Sequence, residues 1–453
     1  MAGFLIAAAH KSSGKTTISI GLAAALRARG NKVQTFKKGP DYIDPMWLKA
    51  ASGQSCYNLD FNIMKPAQIT QTYAQKSAAA DIVLVEANKG LYDGVAVDGS
   101  DSNAQLAKLL NLPVILVIDT TGMTRGIAPL LLGYQAFDKD INIAGIILNK
   151  VGGVRHEGKL RAAIKQYSDI KVLGSIRKNI ALDISERHLG LATPSESSKI
   201  AQKIADFGQI IAQNIELDEL VKIANTAPQI QPKKQQAIKQ NGAGLRIGII
   251  QDKAFGFYYP DDLEAFEQAG AELVFIDSLQ TASLPQIDGL FIGGGFPEIH
   301  MQAISKNESL RNDIKRAIMV GLPTYAECGG LMYLCSFILS EGKELPMVGV
   351  IKAKAIMNKR PQGRGYTKYK SLASHPWRNF EGEIVAHEFH YASLEGLSHE
   401  TKYAQNILRG YGIDGENDGI VIKNLLAGFC HLRNSENYPW VTHFLDFVKS
   451  KTA

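Results

Sequence analysis

The stretch HKSSGKTT, His10–Thr17, decides how the first half of this chain is read. It follows the apolar run Phe4–Ala9 and leads into a helix-like stretch, Thr16–Arg29. Strand, loop, Gly-Lys-Thr and helix is the order a phosphate-binding loop requires, because backbone N–H groups at the helix start cradle phosphate oxygens. Lys15 would then reach the outer phosphates and the Thr16 hydroxyl would hold Mg2+, with Ser13, Gly14 and Thr17 completing the cradle. Ala9 stands where the pattern has its first glycine, a place alanine can fill while the backbone stays in its ordinary region. The alternative is a strand running into an ordinary helix with a chance Gly-Lys-Thr; the flanks on both sides argue against it.

Short buried strands alternate with helical patterns around this loop. Phe4–Ala9, Lys32–Lys37, Asp81–Ala87, Pro113–Asp119, Ala144–Lys150 and Val172–Ile176 read as strands rich in Val, Ile and Leu. Helix-like stretches such as Asn103–Leu110 lie between them, which predicts a parallel sheet covered on both faces. Ligands of such sheets bind at the carboxyl ends of the strands. FKKGPDYIDP, Phe36–Pro45, places Lys37, Lys38, Asp41, Tyr42 and Asp44 there. VEANKGLYDG, Val85–Gly94, places Glu86 there, where it could coordinate Mg2+ directly or through water.

The chain has 453 residues, too many for one ordinary core, so two domains are expected. Hydrophobic residues make up 45% and charged residues 21%, a globular balance rather than a disordered one. No apolar stretch approaches the roughly 18 residues of a membrane span, and the first apolar run is too short for a signal peptide. A cytoplasmic protein without membrane contact is expected. The net charge of +6 favours acidic ligands but, without aromatic-interleaved basic clusters, not nucleic acid. The polar segment Thr226–Gly244, rich in Lys and Gln with two prolines, reads as a linker. It divides a first domain, 1–225, from a second, 245–453. In the second, Leu245–Ile250, Leu273–Ile276 and Gly289–Ile292 read as strands and Asp261–Ala269 as a helix, so this half is α/β as well.

Four cysteines, Cys56, Cys328, Cys335 and Cys430, show no paired spacing. Cys328 differs from the others. In PTYAECGGLMYL, Pro323–Leu334, a strand ends in a tight turn that opens a helix, with Ala326 and Gly330 two residues to either side of Cys328. Small residues there let the chain turn sharply and raise the thiol as a nucleophile, and the helix start stabilises a thiolate. The Gly329 N–H and a second donor from FIGGGFPE, at Gly294 or Gly295, would form an oxyanion hole. A cysteine nucleophile needs a base. His431, after the apolar segment Asn424–Cys430, is the choice. His387 and His390 of HEFHY read as loop histidines that could also contact substrate, and the spacing of HEFH lacks the residue a zinc-protease helix needs.

These motifs in this order, together with RHLGL (Arg187–Leu191) and GRGY (Gly363–Tyr366), resemble the cobyrinic acid a,c-diamide synthase family. The resemblance covers nearly the whole chain. It implies a dethiobiotin-synthetase-like P-loop domain joined to a class I, flavodoxin-like glutamine amidotransferase domain. It implies ATP and Mg2+ at Ser13, Gly14, Lys15, Thr16, Thr17 and Lys37, with Thr16 and Glu86 on the metal. Asp41 and Asp44 would face the reacting carboxylate, and Tyr42, Arg187 and His188 would bind the substrate. The implied activity is amidation of the a and c acetate carboxylates of an anionic tetrapyrrole through an acyl phosphate, with ammonia from glutamine. HKSSGKTT and NKGLYDG are similar to relatives that amidate siroheme, the alternative acceptor. Arg433 stands where many class I amidotransferases carry a histidine-orienting Glu, so a Cys328–His431 dyad without an acid is expected. The resemblance leaves the oligomeric state open and admits a homodimer. Outside this class, a P-loop ATPase switch or a tetrapyrrole-binding protein with no amidotransferase activity would carry some of the same features.

Overall fold

The computed structural model describes residues 2–452 except 179–183, 185, 188–189, 192, 195–198, 235–237 and 378–380, and only the backbone of 186, 187, 190 and 191. The chain forms two compact units, Met1–Lys234 and Gln235–Ala453. The division falls inside the polar segment Thr226–Gly244.

In the first unit the elements run β1 (Ala2–Ala8), α1 (Lys15–Ala28), β2 (Val33–Lys38), α2 (Ile43–Ser52), β3 (Tyr57–Leu59), α3 (Pro66–Ser77), β4 (Ile82–Glu86) and α4 (Asn103–Leu110). They continue with β5 (Val114–Asp119), α5 (Ile127–Phe137), β6 (Ile143–Val151), α6 (Val154–Tyr167), β7 (Val172–Arg177), the short pair β8 (Glu186–Arg187) and β9 (Gly190–Leu191), α7 (Ile200–Asn214) and α8 (Leu217–Ala224). Seven strands form one parallel sheet in the order β3-β2-β4-β1-β5-β6-β7. Strand β1 is buried along its whole length because helices cover both faces, which is why it reads as an unbroken apolar run. The order reverses direction beside β1, so the loop after β1 opens at a switch point of the sheet. Strand β3 has three residues, too few for a periodic signal in the sequence.

In the second unit the elements are β10 (Arg246–Ile250), β11 (Phe255–Phe257), α9 (Pro260–Gln268), β12 (Glu272–Ile276), β13 (Gly289–Ile292), β14 (Gly294–Gly295), α10 (Pro297–Lys306), α11 (Glu308–Val320), β15 (Thr324–Glu327) and α12 (Gly329–Leu334). There follow β16 (Cys335–Ser340), β17 (Lys343–Pro346), β18 (Ile351–Met357), β19 (Gly363–Ser371), β20 (Glu383–His390), β21 (Ala392–Glu395), β22 (Lys402–Arg409), β23 (Asn417–Ile422), β24 (Leu425–Gly428) and α13 (Trp440–Thr452). The main sheet has the order β12-β10-β13-β15-β24-β23-β22-β19-β20. It is parallel from β12 to β24 and antiparallel beyond. Trp440, Phe444 and Leu445 of α13 are sealed with Phe266 and Phe291 in one core on this sheet. Fully burying side chains of this size stabilises by about 1.5–3 kcal/mol each. Among the described residues no helix is long and apolar enough to cross a membrane.

Candidate functional site

The loop after β1 turns into α1 through Gly14, whose φ of 89° only glycine adopts without strain. A β-carbon there would also stand 2.2 Å from Asn149 Nδ2, which itself donates to the Ser13 carbonyl at 2.8 Å. Asn149, near the end of β6, thus braces the loop from a strand two places away in the sheet. Ser13 is fully buried, its hydroxyl donating to the His10 carbonyl at 2.8 Å. Thr17 donates to the Gly14 carbonyl at 3.0 Å.

Lys15 extends from the first turn of α1 across to the loop after β4, where its ammonium donates to the Lys89 carbonyl at 2.5 Å. Burial, and then the neighbouring Lys37 ammonium, push Lys15 down to about 8, although Glu86, Asp44 and Asp93 pull the other way. Thr16 Oγ1 donates to Glu86 Oε1 at 2.8 Å and to Asp44 Oδ2 at 3.2 Å. Lys37 sits at the centre of this group. It donates to Asp44, donates to Glu86 Oε1 at 2.8 Å, and lies 3.9 Å from Asp41 Oδ2. Glu86 is fully buried and Lys37 is 3% exposed. Burial favours the neutral amine at Lys37, but the Asp44, Glu86 and Asp41 charges outweigh it and hold the ammonium well above its ordinary range. Asp41 is raised to about 7 by burial and by Asp44, against the pull of Lys37. Its Oδ1 also accepts the N–H groups of Ile43 and Asp44, which fixes the start of α2. Tyr42 stands next to it and is largely buried. Lys38, one residue on from Lys37, is buried, and its amine is lowered by burial while Asp60 and Asp101 support its charge.

Lys15, Thr16, Lys37, Asp41, Asp44 and Glu86 therefore come together as the sequence suggests, at the carboxyl ends of β1, β2 and β4. Among the described residues no three His, Cys, Asp or Glu side chains form a ready-made metal site. Asp93 was not foreseen. Its carboxylate accepts the Gly90 N–H at 2.8 Å and acts on Lys15. The Arg187 side chain and all of His188 lie outside the described residues.

In the second unit Cys328 holds a φ of 48° and ψ of −102°, backbone angles that cost a non-glycine residue about 1–3 kcal/mol. The surrounding structure enforces them. The Cys328 N–H donates to the Gly428 carbonyl at 2.7 Å, and α12 begins at once, with Met332 N–H on the Cys328 carbonyl at 3.0 Å. A β-carbon on Gly330 would lie 2.3 Å from the Ile292 carbonyl, so only glycine lets α12 pack this close to β13. Gly295 reaches the same turn, for a β-carbon on Gly329 would stand 2.9 Å from the Gly295 nitrogen. One on Gly294 would stand 2.6 Å from His431 Cε1.

His431 lies three residues past β24, close enough to Cys328 for the thiol to act on its charge. Its backbone pairs with that of His387, N–H to carbonyl at 2.7 Å, and the two rings stack with centroids 4.9 Å apart. His387 and His390 thus belong to strand β20, not to a loop as the sequence suggested. Burial, then the proximity of His431 and Arg433, keeps His387 neutral, well below the ordinary imidazole range. Burial would also disfavour the His431 imidazolium, yet Cys328 and Glu327 outweigh it and raise His431 to about 10.

The expectation of a Cys328–His431 pair with no neighbouring acid is corrected here. Glu327, the last residue of β15, is 1% exposed and places Oε2 3.4 Å from His431 Nδ1. Arg433 points away to Asp261, at 2.7 Å, and lies over the Tyr259 ring. The other three cysteines are buried, and burial raises their thiols far above the ordinary range.

Comparison with known proteins finds a match for each unit. Residues 4–191 match the CobQ/CobB/MinD/ParA nucleotide binding domain, and residues 246–438 match the CobB/CobQ-like glutamine amidotransferase domain. A cobyrinate a,c-diamide synthase of Magnetococcus marinus is 40% identical over 452 residues, covering 98% of this chain and 97% of that protein. The enzyme of the same name from Archaeoglobus fulgidus is 38% identical, covering 94% of this chain and 93% of its own. One from Caldanaerobacter subterraneus is 36% identical, covering 99% and 98%. With both halves matched in order and relatives aligned from end to end, the chain belongs to the cobyrinate a,c-diamide synthase family of glutamine-dependent amide ligases.

Proposed function

We propose that this enzyme converts the a and c acetate carboxylates of a cobyrinate-type tetrapyrrole to amides, using ATP and glutamine. The first unit makes the carboxyl carbon attackable. A free carboxylate repels nucleophiles and has oxide as its leaving group. Transfer of the terminal phosphoryl group of ATP to a carboxylate oxygen gives an acyl phosphate and ADP. Ammonia then attacks the carbonyl carbon, and phosphate leaves. Lys15 and the backbone of Ser13–Thr17 hold the phosphates, and Lys37 neutralises charge that collects on the transferring group. Asp41, Asp44 and Tyr42 orient the acceptor carboxylate. The donor set suits Mg2+: the Thr16 hydroxyl and Glu86 carboxylate are hard oxygen ligands already drawn together, and these two residues would hold it. When bound, the ion supplies further charge neutralisation. Arg187 and His188 contribute to binding the anionic substrate.

The second unit releases the nitrogen. Cys328 Sγ attacks the side-chain amide carbon of glutamine while the Gly329 N–H and that of Gly294 or Gly295 receive the developing oxyanion. His431 hands a proton to the departing ammonia, leaving a thioester that water cleaves to glutamate. The observation that carries the reading is the pairing of Cys328, on its strained turn, with His431, in a chain that also holds the Lys37–Asp44–Glu86–Thr16 cluster. The acceptor rests on the end-to-end similarity to proteins named cobyrinate a,c-diamide synthases. The test is mass spectrometry of products formed with ATP, Mg2+, glutamine and either a cobyrinate or siroheme. Each amidation lowers the mass by about one dalton, hydroxyl being replaced by amino. Conversion of siroheme alone would move the acceptor to the alternative branch; conversion of neither, with ATP still hydrolysed, would refute the proposal.

A further inference from the structure

We infer that Glu327 is the carboxylate that positions His431 for glutamine hydrolysis, supplied by the strand before the nucleophile rather than by the residues after the histidine. The inference rests on the proposed role of Cys328 and His431 and adds the third member.

Its two oxygens are divided between two tasks. Oε1 accepts the Tyr325 hydroxyl at 2.6 Å and the Leu432 N–H at 2.7 Å, so the side chain is anchored from its own strand and from the segment that carries His431. Oε2 is left facing His431 Nδ1 at 3.4 Å. That separation is long for a hydrogen bond but within ion-pair range, and catalytic contacts commonly tighten when substrate closes the site. With Nδ1 directed at Glu327, Nε2 is the nitrogen left for the Cys328 sulfur. A carboxylate on Nδ1 fixes the tautomer and orientation of the ring and stabilises the imidazolium that forms.

Adjacent residues on a strand point to opposite faces, so a nucleophile and its acid would not normally be neighbours in sequence. The left-handed backbone at Cys328 removes that obstacle. The chain turns at the cysteine itself, and both side chains reach one ring. The other charged or titratable groups around the histidine cannot take the part. His387, stacked on it, is held neutral, and Arg433 is paired with Asp261.

The test uses the full chain with Glu327→Gln, which keeps the shape and removes the charge. The glutamine-dependent kcat should fall about a hundredfold or more, while KM for glutamine changes less than about threefold. Amidation driven by high ammonia reports that the protein is folded. The rate of glutamine hydrolysis, followed against pH, should lose the displacement that the Glu327 charge imposes on His431, a change that loose packing alone would not produce. Glu327→Asp should recover part of the rate. Hydrolysis within threefold of wild type with an unchanged pH profile would overturn the inference. Should Glu327→Gln fail to fold, Tyr325→Phe, which removes one anchor of Oε1, carries the test: a loss of about tenfold in kcat supports the role, and no loss overturns it. Cys328→Ala separates the two levels. If it still hydrolyses glutamine, the proposed function fails; if it is inactive while Glu327→Gln is normal, only the role of Glu327 falls.

Discussion

Nucleotide affinity should fall as the pH rises through about 8, because Lys15 is pushed down to that value by burial and by Lys37. A bound triphosphate favours the ammonium, so binding to an enzyme with neutral Lys15 must first take up a proton. For one group at about 8 the penalty grows as one plus ten to the power of pH minus 8. Between pH 7 and pH 9 this weakens binding by about tenfold, or about 1.4 kcal/mol. The sign is fixed: below the free-state value the ammonium is already present and nothing is lost, while above it affinity drops by up to a decade per pH unit. At pH 8 binding should take up about half a proton, measurable by calorimetry in buffers of different ionisation enthalpy. Asp41, near 7, is the other group that titrates close to this range, and an Asp41→Asn background removes it. An affinity that changes less than twofold from pH 7 to 9 in that background, with no proton uptake, would refute the argument.

Cys328→Ser should abolish glutamine use, more than a thousandfold in kcat, yet leave amidation by high ammonia largely intact; equal loss of both would contradict two separate sites. Asp44→Asn should reduce amide formation at least tenfold while nucleotide affinity, read by fluorescence titration, moves less than threefold. Arg433→Leu breaks a pair whose guanidinium is almost fully buried and should lower unfolding stability by about 3–5 kcal/mol, seen as a reduced denaturation midpoint.

Much of the first site was legible because the parallel strands are short apolar runs and their carboxyl ends carry the chemistry. Lys15, Thr16, Lys37, Asp41, Asp44 and Glu86 sit at such ends, so sequence position and spatial position agree. Asp93 and Asn149 were missed for a physical reason: a carboxylate in a glycine turn and an amide at a strand end have no periodic signature until a neighbouring strand approaches. The elbow at Cys328 was readable from its small flanking residues. Glu327 was not, since strand alternation sends it to the face opposite its neighbour, and only the φ of 48° at Cys328 changes that. His387 read as a loop residue because the antiparallel wing β19, β20, β22 and β23 mixes polar and apolar residues. Nothing in one strand there reveals that its backbone pairs with the segment after Cys430.

The ammonium of Lys37, set among Asp41, Asp44 and Glu86, has a consequence for the order of events. A tethered cation already occupies the electrostatic well that a free divalent ion would seek. A bare ion entering the pocket must share oxygens with a competitor that cannot diffuse away, and gains little by doing so. One escorted by a triphosphate brings its own anionic ligands and lets the lysine swing toward them. On the proposed function, nucleotide and metal should therefore arrive as a single complex, displacing the lysine from its carboxylates as they bind.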